Sequence, residues 1–453
     1  MEKRKPIAII GAGIAGLTAA DYLKKHKEPF ILFEASDKIA GLAASFTDAD
    51  GFSNDFGAHF ITNRLAKAVG VNDDCILVKH YGEAILLRGK IYKYPFGLIA
   101  IPRMVFGFLT KRFKFGRPNK EAGSAKEWFR NRYGLAFSDE VALPLIEAWS
   151  GAQAEDLSPA VGSSLPGSII KTFYLKAASF VTRRAVACGY NREMPEKPSV
   201  WHVYPRGGVS TLCKKLAEGL EDSIRLQSPV REIITENNKV VAVKVNGETI
   251  PVSAVISTAP ANILAKMVSG TDALKDFSRF RFRPMIFINF KLNGTNILPD
   301  TVLWFPEKIH PFFRLTEVTR SMPWLAPEGK SIITVDIGCE KDDHLWNMDE
   351  QEITELCLQH LETTFPGFRE KIIGSSVIRT TAAYPIFLNQ YEKERLEFEK
   401  STGIDNLISI GRNGEFAHRF MEDIYWRTQK KMRRFLEARK EATRIQLLNQ
   451  MPV

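Results

Sequence analysis

Three glycines near the N-terminus have the spacing of a turn that binds the phosphates of a dinucleotide: Gly11, Gly13 and Gly16. They follow the apolar run 6–10 and precede a helical pattern over 17–25. In such a turn Gly11 permits the tight bend, Gly13 lets a pyrophosphate approach the backbone, and Gly16 lets the helix pack on the strand. We therefore expect the phosphates to bind the free amides at the positive end of this helix.

An acidic residue stands where a ribose-binding carboxylate is needed. Glu34 closes the next apolar run, 30–33, and completes a unit of strand, turn, helix and strand. Its carboxylate is suited to accept hydrogen bonds from the two ribose hydroxyls, and it would repel a ribose phosphate. The spacing therefore predicts FAD or NAD as the ligand, and a glycine-rich turn without a ligand is the alternative.

Hydrophobic periodicity predicts the elements that position these residues. Helices are predicted over 125–132, 139–148, 208–220, 259–268 and 349–364. Strands are predicted over 85–92, 239–245, 254–257, 285–292, 331–337 and 407–410. The pair Asn246-Gly247 between two apolar runs predicts a hairpin. Because no repeat or low-complexity linker separates these elements, we expect the domains to interleave along the chain.

Composition limits the class of protein. The 453 residues, 45% hydrophobic and 25% charged, suffice for two or three domains, and no apolar run is long enough to span a membrane. The five scattered cysteines indicate a reducing compartment and no structural zinc. We therefore expect a cytoplasmic protein, and the basic segments described below allow peripheral contact with the inner face of the membrane. The eight histidines lack ligand spacing, so we expect no catalytic metal. The formal net charge of +10 favours anionic ligands.

Motifs elsewhere in the chain resemble those of the FAD-dependent amine oxidase superfamily, which includes protoporphyrinogen oxidases and phytoene desaturases. The stretch 34–46 is similar to the second FAD motif of that superfamily, although Ala40 and Leu42 stand where the pattern has glycine and arginine. The stretch 54–60 resembles the D-x-G-G-H-x-F segment of the polysaccharide-cluster members, which are similar to UDP-galactopyranose mutases. Shorter similarities lie at 87–95, 204–208, 228–230 and 382–385.

The last similar segment is the most specific after the N-terminus. The residues Gly411-Arg412-Asn413-Gly414 resemble the G-R-N-G turn of the mutase-like members, and Met421 follows where the mutases also have methionine. The resemblance implies FAD as the cofactor. It implies an α/β fold in which a Rossmann-like, glutathione-reductase-like and discontinuous FAD-binding domain is interleaved with a mixed-sheet and helical substrate domain.

The same resemblance implies domain limits. The FAD-binding domain would comprise 1–75, 200–270 and 371–427, and the substrate domain 76–199 and 271–370, with its helical part near 95–190. A basic C-terminal helix would occupy 428–453.

The resemblance also assigns site residues. Those expected to bind the cofactor are Gly11, Ala12, Gly13, Ile14, Ala15, Gly16, Glu34, Ala35, Gly41, Leu42, Gly57, Ala58, His59, Val230, Gly411, Arg412 and Met421. His59 is the candidate catalytic residue beside the flavin, with a packed structural histidine as the alternative. Arg88, Tyr384 and His418 are candidates for the substrate cavity, with a solvated arginine and a core tyrosine as alternatives.

The expected function is that of an FAD-dependent oxidoreductase that removes hydride from a C–H bond of a small or lipophilic substrate. The alternative is a non-redox flavoenzyme similar to UDP-galactopyranose mutase, acting on a nucleotide-linked or lipid-linked sugar; an inactive FAD-binding scaffold is the third hypothesis. The mutases have tyrosine, aspartate and arginine where this chain has His418, Phe420 and Ile386. A diphosphate would therefore lack polar partners, which disfavours a strict mutase.

Two segments are candidates for contact with an anionic membrane surface. The segment 96–117 mixes aliphatic and aromatic residues and ends in basic ones, and 428–445 has the pattern of a basic amphipathic helix. Packing inside the protein is the alternative for both segments. We expect a small-molecule substrate and no nucleic acid partner, and the sequence gives no indication of the oligomeric state.

Overall fold

The structure is a computed structural model that describes residues 4–57, 59–113, 122–164, 169–189 and 191–448. Its strands, in chain order, are β1 (Ile7–Ile10), β2 (Phe30–Phe33), β3 (Ser45–Thr47), β4 (Ser53–Asp55), β5 (Ile61–Thr62), β6 (Cys75–Leu77), β7 (Glu83–Leu87), β8 (Lys90–Tyr94), β9 (His202–Pro205), β10 (Ile224–Arg225), β11 (Val230–Glu236), β12 (Lys239–Val245), β13 (Glu248–Pro251), β14 (Ala254–Ser257), β15 (Val268–Ser269), β16 (Phe282–Asn293), β17 (Val302–Trp304), β18 (Arg314–Glu317), β19 (Lys330–Gly338), β20 (Ile372–Pro385) and β21 (Leu407–Ser409).

The helices, in chain order, are α1 (Ile14–Lys25), α2 (Asn63–Val69), α3 (Pro102–Phe113), α4 (Ala125–Tyr133), α5 (Leu135–Phe137), α6 (Leu143–Ser150), α7 (Ile169–Thr182), α8 (Ser210–Ala217), α9 (Ala261–Met267), α10 (Val318–Ser321), α11 (His344–Asn347), α12 (Glu350–Thr364), α13 (Glu392–Lys400), α14 (Gly411–Gly414) and α15 (Met421–Leu448). Within the described ranges, no helix is both long enough and apolar enough to cross a bilayer.

A five-stranded parallel sheet forms the first layer, in the order β10-β2-β1-β14-β21. All four residues of β1 are buried, as expected for a central strand of a parallel sheet that is covered on both faces. Helix α1 follows β1 directly and packs against α8 and α15. Strands from the beginning, middle and end of the chain therefore form one sheet, and the predicted Rossmann-like, discontinuous α/β fold is confirmed.

A second sheet, in the order β13-β12-β11-β15, contains the predicted hairpin. Val245 pairs with Glu248, and the two turn residues between them, Asn246 and Gly247, have φ angles of 50° and 87°. An Asn-Gly pair adopts such positive φ angles readily, which is why this turn could be predicted. Strands β12 and β14 have the predicted bounds.

The third large sheet has seven strands in the order β20-β16-β19-β18-β17-β7-β8. One face is apolar and packs on α12 through residues such as Ile288, Val335 and Leu361. The other face has a row of side chains that the strand register aligns, one from each of four neighbouring strands: Trp304, Arg314, Asp336 and Phe287. Because side chains alternate along a strand, the polar members of this row face away from α12.

Several predicted bounds were wrong. The segment 85–92 is not one strand but the hairpin of β7 and β8, because Arg88 and Gly89 form a turn with φ angles of 53° and 70°. The helix predicted over 139–148 begins as a π-helical segment, Ser138–Ala142, before α6. The basic C-terminal helix begins earlier than expected, with α15.

Candidate active site

The glycine turn is tightly packed on one side and open on the other. Gly11 has a φ angle of 96°, and a Cβ added there would lie 2.2 Å from Thr258 Oγ1. A Cβ on Gly16 would lie 1.9 Å from Gly11 O, so the turn requires glycine at both positions. A Cβ on Gly13 would meet nothing nearer than Ala40 O at 3.8 Å. Gly13 is also the N-cap of α1, and no side chain caps it. The first amides of the helix are thus left to a ligand.

Glu34 is held beside this turn by its own hydrogen bonds. Its Oε2 accepts from Ala12 N at 2.7 Å and its Oε1 accepts from Ser36 N at 2.9 Å. The Ser36 hydroxyl also donates to Oε1, at 3.0 Å, so of the roughly four lone-pair sites of the carboxylate the one left for a ribose hydroxyl is on Oε2. Ser228 N donates to Glu34 O at 2.8 Å, which brings the stretch before Val230 next to Glu34. Ala35 is the residue between Glu34 and Ser36.

Two distant stretches pack against the same turn. Ala40 N donates to Ala12 O at 2.9 Å, and a Cβ on Gly41 would lie 3.6 Å from the backbone of the glycine turn. Ala40 has a φ angle of 96°, in the left-handed region that favours the glycine of the family pattern. A Cβ on Gly411 would lie 2.9 Å from Ala15 Cβ. Gly13 itself stays open on its outer side, where a pyrophosphate could approach the backbone, and this residue set fits FAD. Leu42 is half-buried next to Gly41.

The second group of site residues lies where the loop at Gly57 meets the polar row of the seven-stranded sheet. A Cβ on Gly57 would lie 3.3 Å from the Phe287 ring and 3.6 Å from Arg314 Nη2. His59 follows two residues later, and Ala58, between them, lies outside the described residues. The loop expected to contact the cofactor therefore faces the sheet expected to contact the substrate.

His59 stands in front of a buried carboxylate. Asp55 Oδ1 accepts from Ser45 Oγ at 2.6 Å, and Asp55 Oδ2 accepts from the Tyr204 hydroxyl at 2.6 Å. Burial, with the nearby Asp55 carboxylate, raises the pKa of Tyr204 well above its usual value, so this hydroxyl stays a donor. His59 Nδ1 lies 3.6 Å from Asp55 Oδ2 and has no hydrogen-bond partner among the residues that the structure describes. The carboxylate behind the imidazole is thus fixed in place.

Arg314 and Asp336 form a buried ion pair that the sequence analysis missed. They face each other on β18 and β19, and Arg314 Nη2 donates to Asp336 Oδ2. Asp336 is fully buried, and its Oδ1 has no hydrogen-bond partner. Burial raises the pKa of Asp336, and the Arg314 guanidinium offsets only part of that rise. The only sequence signal for this site was one acidic residue within the apolar strand predicted over 331–337.

Arg412, Tyr384 and His418 form a third part of the site, and the structure brings these predicted residues together. The Arg412 guanidinium lies 4.7 Å from the Tyr384 ring centroid. The rings of His418 and Trp149 lie 5.4 and 5.2 Å from that of Tyr384. Burial lowers the pKa of His418 far below its usual range, and the Arg412 charge adds to this effect, so the imidazole is neutral.

The Arg412 charge lacks an anionic partner in this cluster. Its Nε and Nη2 atoms are buried and have no hydrogen-bond partner among the described residues. Burial lowers the pKa of Arg412, and the neighbouring Arg314 cation lowers it further. Two guanidinium groups thus lie close together, and only Arg314 has a carboxylate. Since an unpaired buried cation is costly, this cluster is suited to an anionic ligand.

One predicted site residue, Arg88, lies apart from these clusters. Arg88 is at the turn between β7 and β8, where its side chain is 60% exposed and pairs with Glu140 at 3.2 Å. The structure therefore does not bring it to Tyr384, Arg412 or His418. Met421 is half-buried at the first position of α15.

Comparisons with known proteins agree with this geometry. The family model for flavin containing amine oxidoreductases matches residues 14–398. The coproporphyrinogen III oxidase of Staphylococcus aureus (strain NCTC 8325 / PS 47) is 23% identical over 84% of this chain and 89% of its own length. The coproporphyrinogen III oxidase of Bacillus subtilis (strain 168) is 23% identical over 79% of this chain and 83% of its own.

Solved structures share the fold. Reduced UDP-galactopyranose mutase superposes with a TM-score of 0.76 at 18% identity, covering 96% of both chains. Cyclohexylamine oxidase from Brevibacterium oxydans IH-35A superposes with a TM-score of 0.70 at 14% identity, covering 96% of this chain and 100% of its own. At these identities the structural similarity supports the shared fold alone. The family model matches most of the sequence and therefore shows the family. The chain belongs to the flavin containing amine oxidoreductase family and is an FAD-dependent oxidoreductase.

Proposed function

We propose that this enzyme oxidises a C–H bond of an anionic substrate that has a flat, conjugated body, and that Arg412 binds a carboxylate of that substrate. The observation that carries the proposal is the buried Arg412 guanidinium, whose Nε and Nη2 atoms have no hydrogen-bond partner in the part of the chain that the structure describes. A substrate carboxylate would accept hydrogen bonds from both nitrogens and remove the cost of an unpaired buried charge. The rings of Tyr384 and Trp149 beside Arg412 offer flat apolar surface for the rest of the substrate.

The relatives guide the choice of the first substrate to test. Two of them are named coproporphyrinogen III oxidases, and a porphyrinogen with carboxylate side chains has the charge and the shape that this cluster would bind. Bound FAD supplies the hydride acceptor. The protein residues have to hold the reacting C–H bond about 3 to 3.5 Å from that acceptor and exclude water. In this proposal Arg412 anchors the substrate, while His59 orients it at the Gly57 loop.

The experiment is anaerobic reduction of the FAD-loaded protein by each substrate, measured as the loss of the flavin absorption band. The substrates are a carboxylate-bearing porphyrinogen, its methyl ester, a primary amine and a polyene. We expect the free acid to reduce the flavin, and Arg412→Gln to raise its half-saturating concentration about tenfold to a hundredfold. Arg433→Gln, which removes an exposed cation on α15, is the matched control. Equal half-saturation by acid and ester would refute carboxylate binding by Arg412.

A second candidate function uses the same two guanidinium groups. Arg314 and Arg412 together would also suit the diphosphate of a nucleotide-linked sugar, and a non-redox reaction of that kind would require reduced flavin. The residues that differ from the mutase pattern, His418 among them, weigh against it. Turnover of a nucleotide sugar by prereduced enzyme without an electron acceptor would favour this candidate. A flavin that dithionite reduces but that reoxidises at no measurable rate would instead favour an inactive scaffold.

We also propose peripheral contact with an anionic membrane through an exposed apolar face. Phe106 on α3 is 70% exposed, and Phe180 and Val181 at the end of α7 are 88% and 80% exposed. The ring of Phe96, just before α3, lies 5.1 Å from that of Phe173 on α7, so the two regions adjoin. The basic helix α15 is less suited, because apolar side chains such as Met432 and Leu436 are buried in the core, and Ile445 is its one large apolar side chain that is exposed among the described residues. Large exposed apolar patches often mark membrane contacts.

Flotation with vesicles that contain anionic lipid tests this contact. We expect the wild type to float and Phe106→Ser/Phe180→Ser to stay in the dense fraction, because the variant loses about 2 kcal/mol or more of apolar burial per phenylalanine. Arg433→Gln/Arg434→Gln on α15 is the control and should float like the wild type. Equal flotation of wild type and phenylalanine variant would exclude this face, and loss of flotation only in the arginine variant would assign the contact to α15.

A further inference from the structure

Asp336 is a fully buried carboxylate for which the proposed function above has no use. It lies in the middle of β19, in register with Arg314 on β18 and with Phe287 on β16. Both of these neighbours contact the position where a side chain on Gly57 would lie. The carboxylate is therefore directly below the loop that leads to His59. One of its oxygens is paired with Arg314, and the other, Oδ1, has no hydrogen-bond partner within the described ranges.

The charged groups around Asp336 come from three sides. Arg314 faces it from β18, and His59 acts on it from the loop above. Tyr81 and Tyr384 lie near enough to Arg314 to contribute to the rise in its pKa, and Arg412 interacts with Tyr384 on the other side. Among the described residues, the charged groups that act on the pKa of Asp336 are Arg314 and His59. Asp336 Oδ1 is thus an acceptor without a donor, at a site that is rich in cations and aromatic rings.

We propose that Asp336 accepts the proton that the substrate loses on oxidation, and that Arg314 positions Asp336 for this step. The inference rests on the proposed function. The substrate C–H bond would break with its electron pair leaving as hydride, for which bound FAD would supply the acceptor. The conjugated N–H bond of the substrate breaks as well, and its electron pair forms the new double bond of the oxidised product. The proton goes to Asp336 Oδ1, which becomes a neutral acid and returns the proton to water after the product leaves.

The pairing with Arg314 explains how a buried carboxylate can stay ionised and still act as a base. Without a cation, burial would favour the neutral acid, which could not accept a proton. With Arg314 hydrogen-bonded to Oδ2 alone, Oδ1 keeps its lone pairs for the substrate. After the transfer Asp336 is neutral and the Arg314 cation lacks its counter-charge, which favours return of the proton to water once the product has left.

The first test compares anaerobic flavin reduction by the porphyrinogen in wild type, Asp336→Asn and Thr334→Val. Thr334 is buried on the same strand, two residues before Asp336, and hydrogen-bonds Asn289, which makes it a matched control. We expect Asp336→Asn to slow the limiting rate about a hundredfold or more, with half-saturation changed less than about threefold. The wild-type rate should rise with pH as Asp336 ionises, and this dependence should vanish in the variant. Thr334→Val should behave like the wild type.

The second test needs no substrate and no variant activity. Carbon-13 labelling of aspartate carboxyl groups in the FAD-loaded protein allows each resonance to be titrated. We expect one carboxyl to ionise above the range of ordinary aspartates and its resonance to be missing from Asp336→Asn. If Asp336→Asn does not fold, Asp336→Glu, which moves the carboxylate by one methylene, also removes the resonance of residue 336 from the aspartate-labelled spectrum and should slow the limiting rate as well.

The proposed function and the role of Asp336 as proton acceptor can be refuted independently. A wild-type flavin that no substrate of the panel reduces would reject the proposed function, while the titration would still test Asp336. If the porphyrinogen reduces the wild type and Asp336→Asn alike, with the same pH profile, then Asp336 is not the proton acceptor. An Asp336 resonance that titrates with the exposed aspartates would overturn the inference as well.

Discussion

A pair of glycine substitutions distinguishes contact with the cofactor from contact within the protein. Gly13 is in an extended conformation, with φ −77° and ψ −178°, and a Cβ there has no protein atom within 3.8 Å. Gly13→Ala therefore creates no strain in the protein. It gains about 0.4 to 1 kcal/mol because the unfolded chain becomes less flexible. It loses a similar amount because alanine is a poorer N-cap than glycine. The free energy of unfolding of the FAD-free protein should change by less than about 0.5 kcal/mol.

Gly16→Ala should destabilise the FAD-free protein, unlike Gly13→Ala. Its Cβ would lie 1.9 Å from Gly11 O, a backbone atom that can move only with the whole turn. Overpacking of this kind typically costs about 1 to 3 kcal/mol, so the FAD-free variant should be less stable by that amount. Both substitutions should weaken FAD binding, Gly13→Ala by about 5-fold to 150-fold if the new methyl group collides with the pyrophosphate.

The assay combines two titrations. Urea unfolding of the FAD-free proteins gives the free energies of unfolding, and FAD titration followed by flavin fluorescence gives the affinities. The expected pattern is that Gly13→Ala loses affinity but not stability, whereas Gly16→Ala loses both. A Gly13→Ala protein that binds FAD like the wild type would refute the reasoning, because the pyrophosphate could not then approach the backbone at Gly13.

Three further predictions concern the remaining buried polar groups. Burial lowers the pKa of His202 from 6.5 to about 3. The unfolded state therefore binds a proton that the folded state excludes, so the free energy of unfolding falls as the pH drops below 6.5. Between pH 7 and pH 5, the free energy of unfolding measured in urea should fall by about 2 kcal/mol more in the wild type than in His202→Phe. Glu34→Ala should weaken FAD binding by about 1 to 3 kcal/mol through the lost ribose contacts, and unchanged affinity in the fluorescence titration would contradict the assigned cofactor position. Tyr204→Phe removes a hydrogen-bond donor from buried Asp55 and should lower the free energy of unfolding by about 1 to 2 kcal/mol. The control Tyr174→Phe changes an exposed side chain and should leave the free energy of unfolding unchanged. Equal effects of the two substitutions in urea unfolding would contradict the role of the Tyr204–Asp55 hydrogen bond.

The parts of the fold that could be predicted are those encoded by nearby residues. The glycine turn, Glu34 and the hairpin at Asn246-Gly247 each depend on a short stretch of sequence whose conformation those residue types dictate. The second hairpin shows the limit of this reasoning. Arg88-Gly89 also forms a turn, but alternating apolar residues continue on both sides of it, so the pattern predicted one strand.

The site residues that could not be predicted depend on strand pairing. Arg314 and Asp336 are 22 residues apart and meet only because β18 and β19 are neighbours in register. Nothing near either residue indicates that pairing. By contrast, Arg412 and His418 could be singled out from their own segment, although only the structure reveals that Trp149 lies beside them.

The five-stranded parallel sheet has a consequence for synthesis of the chain. Strand β14 pairs with β1 on one side and with β21, at Leu407–Ser409, on the other. At ribosomal rates of roughly 5 to 20 residues per second, synthesis from the end of β14 at Ser257 to the start of β21 at Leu407 takes about 8 to 30 seconds. During that time the nascent sheet has an open edge at β14 that can pair with other chains. A polypeptide that ends before Leu407 keeps that edge open permanently, and we expect it to aggregate, whereas the full-length chain closes it.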